Sequence, residues 1–210
     1  MLNHDLTDVS TFRAMLARDF ADTPRPAVAP TTLFAAWIDT RLGPMVTLTD
    51  KRRLHLLEFA SRPDLDRQLK LHQRTLNARF AFAATAPATA IARQLAAYFT
   101  GQSMAFDCVL AEVGTTFQLH VWANLQRVPP GETRTYTDLA REAGQPKAVR
   151  AAAAANARNR CAIIIPCHRI IGRDGSLTGY AGGLARKQWL LDHEAKYSRI
   201  MTRGPVLSSP

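Results

Sequence analysis

Cys167 and His168 stand side by side in Pro166-Cys167-His168-Arg169, directly after the all-apolar run Ala162-Ile163-Ile164-Ile165. A cysteine attacks as its thiolate, and a neighbouring imidazole is suited to taking the proton near neutral pH. The apolar run predicts a short buried strand that Pro166 ends, which would hold the thiol rigidly within reach of a substrate. Such a mount suits a nucleophile. On its own it is shared by hydrolases and redox sensors.

The elements around this pair narrow the chemistry. Phe117, Val121, Leu125 and Val128 form a helical stripe that Pro129-Pro130-Gly131 terminates, and from Phe117 onward the pattern is mainly helical. Thr135-Tyr136-Thr137-Asp138 has the capping-box pattern and predicts a short helix from Asp138 to Ala143. Gly144-Gln145-Pro146 closes it, and a second helix starts near Lys147. The pair reads as a helix-turn-helix, with an ordinary αα-corner inside a core as the alternative. The second helix carries Lys147, Arg150 and five alanines, Ala151–Ala155. Small and basic residues on one face suit a narrow anionic groove. From Arg134 to Arg173 there are eight basic residues against Asp138 and Glu142, so much of the formal charge of +10 lies around the Cys-His pair.

The first half of the chain has a different pattern. Residues 1–30 read as a weakly ordered extension, with a short amphipathic helix (Phe12, Leu16 and Phe20 after the cap candidate Ser10) and a proline-containing linker (Thr23-Pro24-Arg25-Pro26 and Pro30). Leu33–Ile38, Met45–Leu48 and Leu54–Phe59, separated by turn residues, predict a β-meander. A helix over Thr89–Phe99 follows, with Gly101 as its stop. A change of character around Val113-Gly114-Thr115 places a boundary between domains at 31–113 and 114–200, followed by a loose tail at 201–210.

Composition limits the setting. Hydrophobic residues make up 47% of the 210, enough for a sizeable core, and no apolar run approaches the roughly 18 residues of a membrane span. The N-terminus has no basic segment leading into an apolar stretch. Cys108, Cys161 and Cys167 are odd in number and contain no CxxC pair, which disfavours a disulfide framework and points to a reducing cytoplasm.

The region from Phe117 to Glu194 resembles the O6-alkylguanine-DNA alkyltransferases in both identity and spacing. The resemblance is carried by Tyr136, Gly144–Arg150, Asn159, Ile163–Arg169, Gly175, Gly179–Leu184 and Lys187–Glu194. It implies an α/β N-terminal domain of RNase H-like type, followed by a mainly helical catalytic domain with a helix-turn-helix and a short active-site strand. It also implies DNA repair by irreversible transfer of an alkyl group from O6 of guanine to Cys167, once per protein molecule and without a soluble cofactor. The implied partner is double-stranded DNA containing O6-alkylguanine, bound by a monomer, with cooperative binding along the duplex left open. No membrane partner is expected. A lesion-flagging or regulatory DNA-binding module and a cysteine hydrolase are the competing classes. The cysteine is present, residues 1–30 are too short for extra regulatory domains, and a hydrolase has no reason to carry a helix-turn-helix.

The same resemblance assigns roles. His168 would act as base on Cys167 through a bridging water, oriented by Glu194. Asn159 would tie the recognition helix to the active-site turn, although the family's usual following proline is Arg160 here. Arg150 would fill the space of a flipped nucleotide, Tyr136 would crowd the flanking phosphate, and Lys147 and Ala151 would lie on the DNA-facing surface. In the base pocket the Ala181 amide would face O6, the Cys167 and Ile170 carbonyls would face the exocyclic amine, and Tyr180 would form a wall. Lys187 is expected to be solvated or to face phosphate. The metal site of some relatives has no counterpart expected here, because His4, His55, His72 and His120 are scattered and Cys108 is the only cysteine before Cys161.

Overall fold

The three apolar stretches of the N-terminal half form β1 (Thr31–Ile38), β2 (Met45–Thr49) and β3 (Leu54–Phe59), paired antiparallel in succession. The computed structural model describes Leu6, residues 8–20 and residues 30–203. The sheet is larger than a meander. After α2 (Leu65–Leu76), Asn77 takes the left-handed conformation at φ 45° and turns the chain into β4 (Ala78–Phe82). β4 pairs in parallel with β1, giving the order β3-β2-β1-β4. A parallel neighbour requires a crossover, and α2 supplies it.

Residues 8–20 are not a loose extension. α1 (Val9–Asp19) is capped by Asp8, whose side chain accepts from the Thr11 amide, and not by Ser10. Its Phe12, Met15 and Leu16, with Phe20 beyond its end, are buried in the same cluster as Leu33, Leu48, Leu56 and Leu69. The apolar stripe of this helix finds its partner in the sheet, which outweighs the polarity of the surrounding sequence. The expected linker lies outside the described residues at 21–29, and the tail expected at 201–210 is helical through Arg203 and lies outside them from 204.

The chain divides into two compact units that are interleaved and not cut once near 113. The first takes in the segment up to Ala96, Asp107–Val113 and Arg160–Ala162; the second takes in Ala97–Phe106, Gly114–Asn159 and the chain from Ile163 onward. α3 (Ala86–Thr100) contributes to both. The second unit is mainly helical: α4 (Thr116–Gln126), α5 (Tyr136–Glu142), α6 (Val149–Ala157) and α7 (Leu184–Arg203), with the two-residue parallel pair β5 (Arg134–Thr135) and β6 (Ile170–Ile171). Thr115 with Gln118 and Thr135 with Asp138 form complete capping boxes, so α5 starts two residues before the expected Asp138. Gly144 at φ 77° closes α5, and α6 begins at Val149.

The expected strand at Ala162–Ile165 is not formed. Cys161 makes an isolated parallel bridge to Leu57, and 162–164 are a turn in which Ile163 has φ 72°. All four residues are buried, so the apolar run reports burial but not extension. A strand needs ladder partners along its length, whereas here the Ile165 carbonyl is taken by the Asn159 side chain and by the Cys167 amide. A β-branched residue in the left-handed region costs about 1–3 kcal/mol, and the strain falls four residues before the thiol.

Candidate active site

Cys167 heads a one-turn 3-10 helix, Cys167–Arg169, introduced by Pro166. Cys167 is 8% exposed, close to the surface but not open to it. The Asn159 side-chain amide donates to Cys167 Sγ at 3.1 Å and to the Ile165 carbonyl at 2.7 Å. One side chain just beyond the end of α6 therefore grips both the turn and the sulfur. An N–H aimed at sulfur complements negative charge there. Asn156, one turn earlier, donates to the Cys167 carbonyl at 3.5 Å.

His168 is fully buried, with Nε2 2.9 Å from Glu194 Oε1. Glu194, on α7, is the acceptor for four groups. Besides His168 it accepts from Tyr98 Oη at 2.8 Å, from Arg169 Nε and Nη2 at 2.8 Å each, and from the Gly131 amide at 3.4 Å. Gly131 has φ 81°, and a Cβ there would stand 2.3 Å from Ser198 Oγ, so this approach to the carboxylate requires glycine. Burial pushes the Glu194 pKa up, but the hydrogen bonds and charges of His168 and Arg169 outweigh it and hold the carboxyl well below its usual range. For His168, burial is the largest influence and lowers the pKa, with Arg169 and Lys187 adding to it against Glu194. The result is an ionised Glu194 balanced by Arg169, beside a neutral imidazole.

That charge state fixes the tautomer. A carboxylate only accepts, so Nε2 carries the hydrogen and Nδ1 keeps its lone pair. Nδ1 is buried and has no hydrogen-bond partner among the described residues. It is an open acceptor on the residue next to the thiol, suited to receive a proton directly or through one water.

The other expected residues fall into two groups. Tyr180 borders the imidazole, ring centroids 6.4 Å apart and nearly perpendicular, and Tyr136 donates to the Thr178 carbonyl at 3.5 Å, which brings α5 to the same 178–180 loop. Ala181 is exposed at the end of that loop. Lys147, Arg150 and Ala151 lie exposed at the start of α6. Their exposed face is small and basic, as the sequence pattern requires. Lys187 is neither solvated nor surface-facing: it is fully buried and its ammonium donates to the Ile170 and Thr178 carbonyls, pinning β6 to the loop. The Ile170 carbonyl thus already accepts a strong donor, as the Cys167 carbonyl accepts the Ile170 amide. Arg169 likewise leaves the basic surface, being buried against Glu194 and the Val128 carbonyl.

Residues 116–196 match the family model of the 6-O-methylguanine DNA methyltransferase DNA binding domain. The methylated-DNA–protein-cysteine methyltransferase of Salmonella typhimurium is 42% identical over 160 residues, covering 75% of this chain and 92% of that protein. The chain belongs to this family. A Methanosarcina acetivorans protein of the same name is 56% identical over 102 residues, 49% of this chain, and the match spans 65% of that relative's length. Among solved structures, Mycobacterium tuberculosis OGT in complex with DNA superposes with a TM-score of 0.67 at 36% identity, over 78% of this chain and 94% of the other. Within the family fold, Tyr98, Arg169, Asn156 and Gly131 are site residues that the sequence pattern does not single out. Arg169 adjoins His168 in the motif, and its burial is the signal that a count of surface charge hides.

Proposed function

We propose that this protein repairs DNA by transferring the alkyl group of O6-alkylguanine to Cys167, once per molecule. The observation that carries the proposal is the neutral His168 beside Cys167, its Nε2–H held by Glu194 and its Nδ1 left open, in a chain of the alkyltransferase family. The thiol proton passes to Nδ1, by way of a bridging water, as Sγ attacks the alkyl carbon in line with the O6–C bond. A sulfur–carbon bond forms, the carbon–oxygen bond breaks with its electron pair going to the nucleobase, and guanine regains the proton that His168 holds, relayed through water, which returns the imidazole to neutral. The thioether has no route to hydrolysis, so the protein is consumed.

The substrate base cannot be reached inside a duplex and must be rotated out at a cost of a few kcal/mol. Arg150, exposed near the start of α6, would take its place in the stack, with Lys147 and the small Ala151 letting the helix approach the groove. Tyr136 would press on the flanking phosphate, Tyr180 would wall the pocket, and the Ala181 amide would face O6. Asn159, bonded to Sγ and to the turn, would link helix position to thiol position. The sheet unit, with its order β3-β2-β1-β4 and covering helices, is read as RNase H-like. The protein is taken to act as a cytoplasmic monomer on duplex DNA, with cooperative binding along the strand left to measurement.

Incubation with excess duplex containing O6-methylguanine tests the proposal. One methyl group lost per protein molecule, followed by a stop, is expected; continued turnover contradicts it.

A further inference from the structure

The two faces of the sheet in the first unit differ. Leu33 and Ala35 of β1 point into the core cluster built with α1 and α2. Thr32 and Phe34 point the other way, and the parallel register Thr32↔Arg79 and Phe34↔Ala81 puts Arg79 beside them. At this end of the sheet lies an open groove of about 850 Å³, floored by Thr32, Phe34 and Ala81 and rimmed by Lys51, Arg52, Arg53 and Arg79.

The rim is built, not incidental. Asp50 Oδ1 accepts the amides of Arg52 and Arg53, both at 2.7 Å, and folds the β2–β3 turn so that Lys51, Arg52 and Arg53 are all exposed. Asp50 is the one carboxylate among the described residues lining the groove, and its other oxygen faces His55 Nε2 at 2.9 Å, so its charge is spent inside the turn. Arg79 is steadied by Nε donating to Thr32 Oγ1 at 2.9 Å. Among the described residues no acidic side chain forms an ion pair with any of the four rim cations. Four cations around a half-buried phenyl ring are complementary to a ligand with both negative charge and a flat apolar face.

We infer that this groove is a second nucleic-acid site, which takes the backbone of single-stranded DNA on the Lys51, Arg52, Arg53 and Arg79 rim and stacks one base on Phe34. An aromatic ring at the floor of a concave site is reached by an unstacked base and not by one held in a duplex, and charge with stacking is the usual basis of sequence-tolerant single-strand binding. The site lies wholly within the first unit and uses none of the residues assigned to alkyl transfer. It would hold unpaired DNA, whether or not that strand carries a lesion.

The test is binding of the full chain to fluorescent oligo(dT), which lacks guanine and is no alkyl donor. The combined variant Lys51→Ala, Arg52→Ala, Arg53→Ala and Arg79→Ala is expected to weaken binding at least about tenfold. It should also lower the slope of log affinity against log salt by up to about 3, since each of the four phosphate contacts on a single strand contributes roughly 0.7. Phe34→Leu should weaken binding about tenfold with the slope unchanged. The milder pair Lys51→Gln and Arg53→Gln, confined to the exposed turn, repeats the test without touching the sheet. Full binding by both charge variants, with loss only on Lys147→Ala and Arg150→Ala, overturns the inference. So does competition by polyglutamate equal to that by oligo(dT) together with a silent Phe34→Leu, which would mark an acidic protein partner instead. Methyl transfer from duplex is scored separately, so failure of the transferase proposal leaves the oligo(dT) result standing.

Discussion

Glu58 in the first unit and Glu194 in the second are both buried carboxylates beside a buried arginine, and their pKa values are moved in opposite directions. Glu58 is 2% exposed and accepts from Arg62 Nη1, but Arg62 also donates through Nε to Asp64 at 2.5 Å. One guanidinium divided between two acids does not offset burial, and the Glu58 pKa is pushed up to about 7. Glu194 has Arg169 in bidentate contact and adds Tyr98, His168 and the Gly131 amide. Burial fixes what is at stake for a carboxylate, and the number of donors facing it decides its charge. In the second unit that charge sets the tautomer of His168, whereas in the first it affects stability alone.

The comparison is broken most severely at Glu194. Glu194→Gln leaves Arg169 buried without its counter-ion and lets the amide donate as well as accept, so the His168 tautomer is no longer fixed. A fall of about 10²–10⁴-fold in methyl transfer rate is expected, with about 3–5 kcal/mol lost from the second unit. Single-turnover kinetics and amide exchange over residues 187–198 measure the two effects. Glu58→Gln, the matching change, should leave the transfer rate unaltered; a comparable rate loss would show that the two networks are not distinct in role.

A sharper test uses pH. The folded Glu58 pKa is raised from 4.5 to about 7, so its contribution to stability is complete below about 4.5 and lost as pH rises towards 7. The folded Glu194 pKa is depressed, so its contribution is complete above about 4.5 and lost as pH falls below that value. Amide exchange followed across this range in each unit should therefore show protection changing with opposite sign in peptides 54–62 and 187–198. Glu58→Gln should flatten the first trend and Glu194→Gln the second. Trends of the same sign would contradict the assigned charge states.

Asn159→Ala removes the donors to Sγ and to the Ile165 carbonyl, and a loss of about 1–3 kcal/mol with a slower transfer rate is expected. Tyr98→Phe is the mildest change. It removes one of several donors to Glu194, at a cost of about 1 kcal/mol in thermal unfolding and a transfer rate reduced only a few-fold.

What the sequence made legible follows the same division between local and distant causes. The capping box at Thr135, the glycine closing α5 and the strands β1 to β3 depend on neighbouring residues and read correctly. α2 and β4 were not legible: the buried face of α2 includes the polar Gln68 and His72, which blurs its stripe, and β4 is five residues long and defined by pairing with β1. The apolar run before Cys167 misleads because a buried turn and a buried strand share the same composition. Cys167 and His168 stand out as neighbours and Glu194 joins them only through the family resemblance, while the donors that make Glu194 an anion lie far off in sequence. Tyr98 is 96 residues from Glu194 and Arg169 is 25, separations at which no local pattern reports contact.

The most direct test of the account is to place the methyl group. After reaction with duplex containing O6-methylguanine, intact mass and peptide mapping are expected to show one added methyl, on the peptide bearing Cys167. Cys161 should carry none, since it is fully buried and burial above all pushes its thiol pKa far up. A methyl on Cys161, or loss of the lesion with no mass added to the protein, would contradict the assignment of Cys167 as the acceptor.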